Sequence, residues 1–311
     1  MTVHLCSVRR NTVPKLVVGA LAFCLLVAFL LITQLPANQR TRRFYDTNGE
    51  RSSFSDSSAH RLCILVPHRD RFEELQTFVP YMHSFLTKQN LIFHILILNQ
   101  VDNYRFNRAS LLNVGYYEAL ARECDYLCLH DVDLVPLNHQ LLYVYPEPGP
   151  MHLASNEYHP RYNYTKFIGG IMLITTAHFR QINGMSNKYW GWGLEDDELF
   201  LRFRDANLTI HRPHNLSTDR SNTFAHMHDG RVRIRDNAKL SKQEEMTHWR
   251  DRVSGLDTIR YHVFSRIDMT ISTAPCVIIN VQLHCDKAWT PYCELPKVKK
   301  RVSSTKASAA R

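Results

Sequence analysis

The sequence predicts an α/β domain doubly wound around a mainly parallel sheet, and three observations carry that prediction. Three short apolar runs are nearly continuous, as strands buried on both faces must be. Segments of helical period separate them, and each run ends in polar residues, where sheets of this kind bind ligands. The first run is LCILVP at 62–67, the second FHILILNQ at 93–100, the third DYLCLHDVD at 125–133. Between the first two, Phe72, Leu75, Phe78, Val79, Met82, Phe85 and Leu86 form one stripe. A break is expected at Pro80, which has no N–H for the preceding turn. Between the second and third, Leu111, Leu112, Tyr116, Ala119 and Leu120 make a similar stripe.

The flanking segments set the surroundings of this domain. Net charge is +9, but residues 297–311 hold six Lys/Arg and no acid. The body is therefore only about +3, and no nucleic-acid partner is expected. Residues 16–32 contain no charge and follow Arg9, Arg10 and Lys15. That run exceeds the usual apolar region of a signal peptide and no small-x-small cleavage site closes it, so one membrane-spanning signal anchor is expected. The expected order is a cytoplasmic tail at 1–15, an anchor at 16–35, a polar stem at 36–60, a folded domain at 61–296 and a disordered basic tail at 297–311. Sequons at Asn163, Asn207 and Asn215 and six cysteines beyond the tail and span suit an oxidising lumen. Cys285 and Cys293 bracket a short loop and are expected to pair; Cys63 and Cys128, inside apolar strands, are expected to be plainly buried.

The third strand ends in HDVDLVP, placing Asp131 and Asp133 one residue apart at the sheet edge. On an extended chain they share a face, and two close carboxylates raise each other's pKa unless a cation intervenes. A divalent ion with oxygen ligands resolves the conflict and can grip a diphosphate; turn or cap hydrogen bonds are the ordinary alternative. In FAHMHDG, His226 and His228 have the same spacing, and an Asp/His/His set favours manganese, with zinc the alternative. In KYWGWGLEDDE, Trp190 and Trp192 alternate with glycines, a loop whose aromatic face suits the apolar side of a sugar ring. Glu195, Asp196, Asp197 and Glu198 then open a helix; dipole stabilisation accounts for acids there, yet one of four set against a hydroxyl would serve as a general base. FIGG places Gly169-Gly170 where backbone must bend or be approached closely. Tyr162 and Tyr164 lie just upstream.

VPHRDR, FNRA, DVDLVP, FIGG, WGWGLEDDE and HMHDG occur in the order and approximate spacing of the β-1,4-galactosyltransferases, and the chain resembles that family from about Leu62 to Gly230. The resemblance implies a GT-A glycosyltransferase fold on a single-pass type II Golgi protein with a lumenal catalytic domain. It implies UDP-galactose as donor, manganese as cofactor and inversion of the anomeric centre. It makes Asp133, His226 and His228 the metal ligands. Pro67, His68, Arg69, Asp70, Arg71, Phe106, Asn107, Arg108, Asp131 and Val132 match the nucleotide-sugar side. Asp196 matches the catalytic base, and Tyr162, Tyr164, Trp192, Leu194, Glu195 and Asp197 match the acceptor side. Leu194 where many members have glycine, and His-x-His where they have a Met/His pair, resemble the members that act on xylose of proteoglycan core proteins or on β-xylosides, in glycosaminoglycan linker synthesis. A GlcNAc-directed or GalNAc-transferring relative, and a non-catalytic sugar-binding relative, are the alternatives. Phe167 stands where vertebrate relatives are expected to have tyrosine, and Asn163, between two acceptor tyrosines, is a poor glycosylation site.

Overall fold

The structure is a computed structural model that describes residues 60–295. The expected cytoplasmic tail, anchor, stem and basic tail lie outside the described residues, among which no helix is long and apolar enough to cross a membrane.

The chain opens β1 (Arg61–His68), α1 (Phe72–Thr87), β2 (Ile92–Gln100), α2 (Arg108–Leu120), β3 (Tyr126–His130). β1 lies between β2 and β3 and is parallel to both. The chain therefore winds first to one side of β1 and then to the other. Side-chain alternation follows: Leu62, Ile64 and Val66 pack with α1, and Cys63 and Leu65 with α2. Between the carboxyl ends of β1 and β3 lies the switch point where such sheets bind ligands.

The rest of the sheet departs from the expected parallel arrangement. β5 (Met151–His152), β6 (Ile171–Thr175), β8 (Tyr261–Ile271) and β9 (Ala274–Leu283) complete a seven-stranded mixed sheet of order β5-β6-β3-β1-β2-β9-β8. β9 is parallel to β2, but β6 is antiparallel to β3, β5 to β6 and β8 to β9. The β8–β9 hairpin turns on Ser272 and Thr273, both at positive φ. Tight hairpin turns need that conformation, but neither residue advertises it as Asn-Gly would.

Four further expectations are corrected. The third strand stops at His130 instead of reaching Asp133, because β4 (Leu134–Pro136) leaves to pair with β7 (Phe224–His226) in a separate antiparallel ribbon. Helix α1 runs through Pro80 unbroken; the carbonyl losing its partner belongs to Gln76, on the exposed side. Phe72 and Leu120, at the ends of their stripes, are 50% and 44% exposed. Cys63 forms a disulfide with Cys124, while Cys128 is free and buried; Cys285 and Cys293 pair as expected. The remaining helices are α3 (Thr176–Gln181), α4 (Glu195–Asp205) and α5 (Gln243–His248).

Candidate active site

The site is organised from the first turn of α2. Asn107 caps that helix, its side chain accepting from the Ser110 N–H and donating to the Asn187 carbonyl. This sets Arg108 across the switch point. Its Nε is 2.8 Å from Asp131 Oδ1, and its Nη1 3.1 Å from Asp196 Oδ1 and 4.0 Å from Glu195 Oε1. One cation thus joins β3 to the first turn of α4. Burial raises Asp196 above the ordinary carboxylate value, with Arg108 opposing. Burial and the neighbouring Asp196 also raise Glu195, and burial raises Asp197, with Lys166 opposing. A carboxylate with a raised pKa, still held charged beside a guanidinium, is suited to take a proton near neutral pH. Gly169 makes room for it: a Cβ there would stand 2.5 Å from Asp196 Oδ2.

Asp133 points elsewhere, and the two carboxylates that prompted the metal expectation have separate partners. Asp133 Oδ2 is 3.2 Å from His228 Nδ1 and 3.5 Å from Arg71 Nη1. The β4–β7 ribbon creates this corner: Leu134 is in register with His226, and the Met227 N–H donates to the Asp133 carbonyl at 2.7 Å. The His226 and His228 rings are 5.8 Å apart. Burial lowers both imidazoles below the ordinary histidine value, with Asp133 opposing, and neutral imidazole is the form that ligates. Among the described residues no three His, Cys, Asp or Glu side chains already enclose a metal-sized space. In donor chemistry Asp133, His226 and His228 suit a divalent cation: one carboxylate and two imidazoles, with Asp133 already in contact with His228. Asp131, engaged by Arg108, is not part of that corner.

The other donor-side candidates divide by what their atoms already do. His68 has Nδ1 3.0 Å from Asn99 Oδ1, while its Nε2 is buried without a partner among the described residues. Asp70 is exposed at positive φ beside it. Arg69 donates to the carbonyls of Gln100, Asp102 and Tyr104 and lies 5.8 Å from the Phe106 ring. It holds the loop after β2, and its guanidinium is not free for a ligand. Pro67, Val132 and Asn107 are buried, so they shape the floor.

Two of the acceptor candidates, Tyr162 and Tyr164, form one aromatic cluster with Phe167. The Tyr162 and Phe167 rings are 4.9 Å apart, and those of Tyr164 and Phe167 5.5 Å. Phe167 is buried among these rings and His152, which explains how the site does without the expected tyrosine. Tyr164, Trp192 and Leu194 are exposed at the rim. Burial, with Asp197 next, pushes the Tyr164 hydroxyl up to about 12. Leu194 takes φ +75 at the N-cap of α4, a left-handed conformation costing a branched residue about 1–2 kcal/mol.

Four contributors escaped the sequence reading. His159 accepts the N–H groups of Arg161 and Tyr162 on Nδ1, both at 3.0 Å, and its ring lies 5.9 Å from His226. It links the acceptor loop to the metal corner. Buried Arg105 clamps Asp236 with Nε and Nη2 at 2.6 and 2.9 Å, and the Asp236 carbonyl accepts the Trp192 N–H at 2.9 Å. Arg235 lies 4.5 Å over the Trp192 ring. An arginine alternation, RVRIR at 231–235, was the available signal, though alternation alone does not say what each arginine meets.

Two family profiles match the chain: one described as the N-terminal region of glycosyl transferase group 7, over residues 25–146, and one as the N-terminal domain of galactosyltransferase, over 149–227. The chain is 51% identical over 239 residues to β-1,4-galactosyltransferase 7 of Drosophila melanogaster, covering 76% of this chain and 74% of that protein. It is 51% identical over 244 residues to the xylosylprotein 4-β-galactosyltransferase of Caenorhabditis elegans, covering 76% and 83%. A crystal structure of a mutant of the Drosophila enzyme, in complex with manganese, UDP-Gal and xylobiose, superposes with a TM-score of 0.75 at 50% identity, over 76% of this chain and all of that one. The chain belongs to the β-1,4-galactosyltransferase family and is a glycosyltransferase.

Proposed function

We propose that this chain transfers galactose from UDP-galactose to the 4-hydroxyl of xylose, with inversion, on proteoglycan core proteins. We further infer that it works in the Golgi lumen, as a single-pass type II protein anchored through residues 16–35. The observation that carries the reading is Arg108, which joins the sheet-edge carboxylate Asp131 to Asp196 at the mouth of the aromatic cradle. The relatives named for xylosylprotein and the neighbour holding xylobiose support the choice of xylose; that neighbour also supports manganese and UDP-galactose. Manganese held by Asp133, His226 and His228 would supply positive charge for the diphosphate as it leaves. Asp196 takes the proton of the attacking hydroxyl, and Arg108 keeps that carboxylate aimed. Trp192, Tyr162 and Tyr164 hold the sugar ring so that the hydroxyl is presented in line, turning binding into orientation. Leu194 fills space that an N-acetyl group would need.

A transfer assay with UDP-galactose and a β-xyloside, with and without manganese, followed by linkage analysis, tests this. Manganese-dependent formation of a β-1,4-linked galactosyl xyloside is expected. Transfer to N-acetylglucosamine with none to xylose would contradict it.

A further inference from the structure

We propose that the rim of the acceptor cradle docks an acidic stretch of the acceptor protein, so that carboxylates flanking the xylosylated residue are recognised together with the sugar. This rests on the xylosylprotein reading above. Two arginines stand on the cradle's aromatic rings. Arg235 lies 4.5 Å from the Trp192 ring centre and 6.0 Å from that of Tyr162, and Arg161 lies 5.7 Å from Tyr162. Its neighbours in the same alternation are occupied: Arg231 pairs with Asp229, and Arg233 forms a two-pronged bridge to Glu74. Among the described residues, Arg235 and Arg161 have no carboxylate partner and their guanidinium groups donate no hydrogen bond.

The Arg235 contact is the consequential one, its guanidinium carbon lying 4.5 Å from the Trp192 ring centre. A guanidinium lying on an aromatic ring uses its face and keeps its N–H groups free in the plane, where they match a carboxylate in two-pronged fashion. Stacking also limits the side-chain freedom that would otherwise be lost on binding. Both arginines also act on the His226 imidazole, so they stand between the acceptor cradle and the metal corner. The arginines stand on the rings assigned to the sugar acceptor, and Trp192 is 46% exposed there, so the chain carrying the sugar leaves past them. The acids of the first turn of α4 are half-buried or buried, whereas Arg161 is exposed.

The test compares four acceptors with the full-length enzyme: a plain β-xyloside, a xylosylated peptide with Asp and Glu flanks, its Asn and Gln twin, and a lysine-flanked version. Wild type is expected to show a roughly fivefold lower KM for the acidic peptide at low ionic strength, from two exposed charge contacts. Salt should erase most of that advantage. In R161Q/R235Q the acidic and amide peptides should become equivalent, and R161E/R235E should instead favour a lysine-flanked peptide. Equal KM values for the two peptides in wild type, with the xyloside active, would overturn the rim alone. An advantage that survives unchanged in R161Q/R235Q would do the same. Failure of every acceptor, the xyloside included, would overturn the functional reading and the rim with it.

Discussion

Two regions meet at the site and are held by different physics. The frame, made by the carboxyl ends of β1 and β3 and the first turn of α2, is set by strands buried on both faces and by a capped helix. The flap, made by the loop before α4, the short ribbon strand β7 and the segment that follows it, has almost no backbone ladder; β7 is three residues long. Side-chain ion pairs hold the flap instead, Arg105 to Asp236 and Arg233 to Glu74. Changes in the frame should therefore cost turnover, whereas changes in the flap should alter what the site holds while leaving the fold intact.

The sharpest contrast comes from the flap's metal corner. His228→Ala should lower kcat/KM about 10³-fold at fixed manganese, the scale of losing several kcal/mol of charge stabilisation, with the thermal midpoint little changed. Manganese titration of activity checks this, and a wild-type manganese requirement would remove His228 from the ligand set. In the frame, Arg108→Lys keeps a charge but loses the planar fork whose Nε and Nη1 reach Asp131 and Asp196 separately, and kcat should fall about 10²-fold. The pH profile supplies the sign. Burial raises Asp196 and Arg108 opposes the rise, and in the proposed mechanism activity needs the carboxylate, so it is lost as pH falls through the raised pKa. A weaker Arg108 contact raises that pKa further and should move the acid limb to higher pH. A limb that moves down, or does not move, separates Asp196 from the base role.

Gly169→Ala tests whether position alone matters. A Cβ there would stand 2.5 Å from Asp196 Oδ2 and 2.9 Å from the ring of buried Phe167, so both must shift. Stability should fall by about 1–3 kcal/mol, the usual cost of overpacking, while kcat falls at least about tenfold; a loss of stability with kcat unchanged would mean that the carboxylate's position does not matter. Leu194→Gly should have the smallest effect. It relieves a left-handed residue at about 1 kcal/mol and opens the acceptor site, so the unfolding midpoint should rise slightly and N-acetylglucosamine should become a measurable acceptor. No new acceptor would show that Leu194 does not limit the pocket.

The same contrast explains what could be read from residues alone. The first half of the domain was legible because continuous apolar runs and helical stripes report burial directly, and the switch point followed from their order. The β8–β9 hairpin was not, since Ser272 and Thr273 turn it without a glycine. The metal and aromatic candidates were legible as spaced residue types. Their connections were not: Arg105 reaches Asp236 across 131 positions, and Asp131 and Asp133 part company only because the chain changes sheets between them. Cys63 looked like a buried strand residue, and it is, but its disulfide with Cys124 spans 61 positions and leaves no local trace.

The most direct test of this division of labour is calorimetric titration of Asp196→Asn with UDP-galactose and manganese, paired with a xyloside transfer assay on the same preparation. Donor binding within about threefold of wild type, together with a 10²–10⁴-fold loss of transfer, is the predicted result. Near wild-type transfer, or loss of donor binding along with it, would contradict a base that works apart from the metal corner.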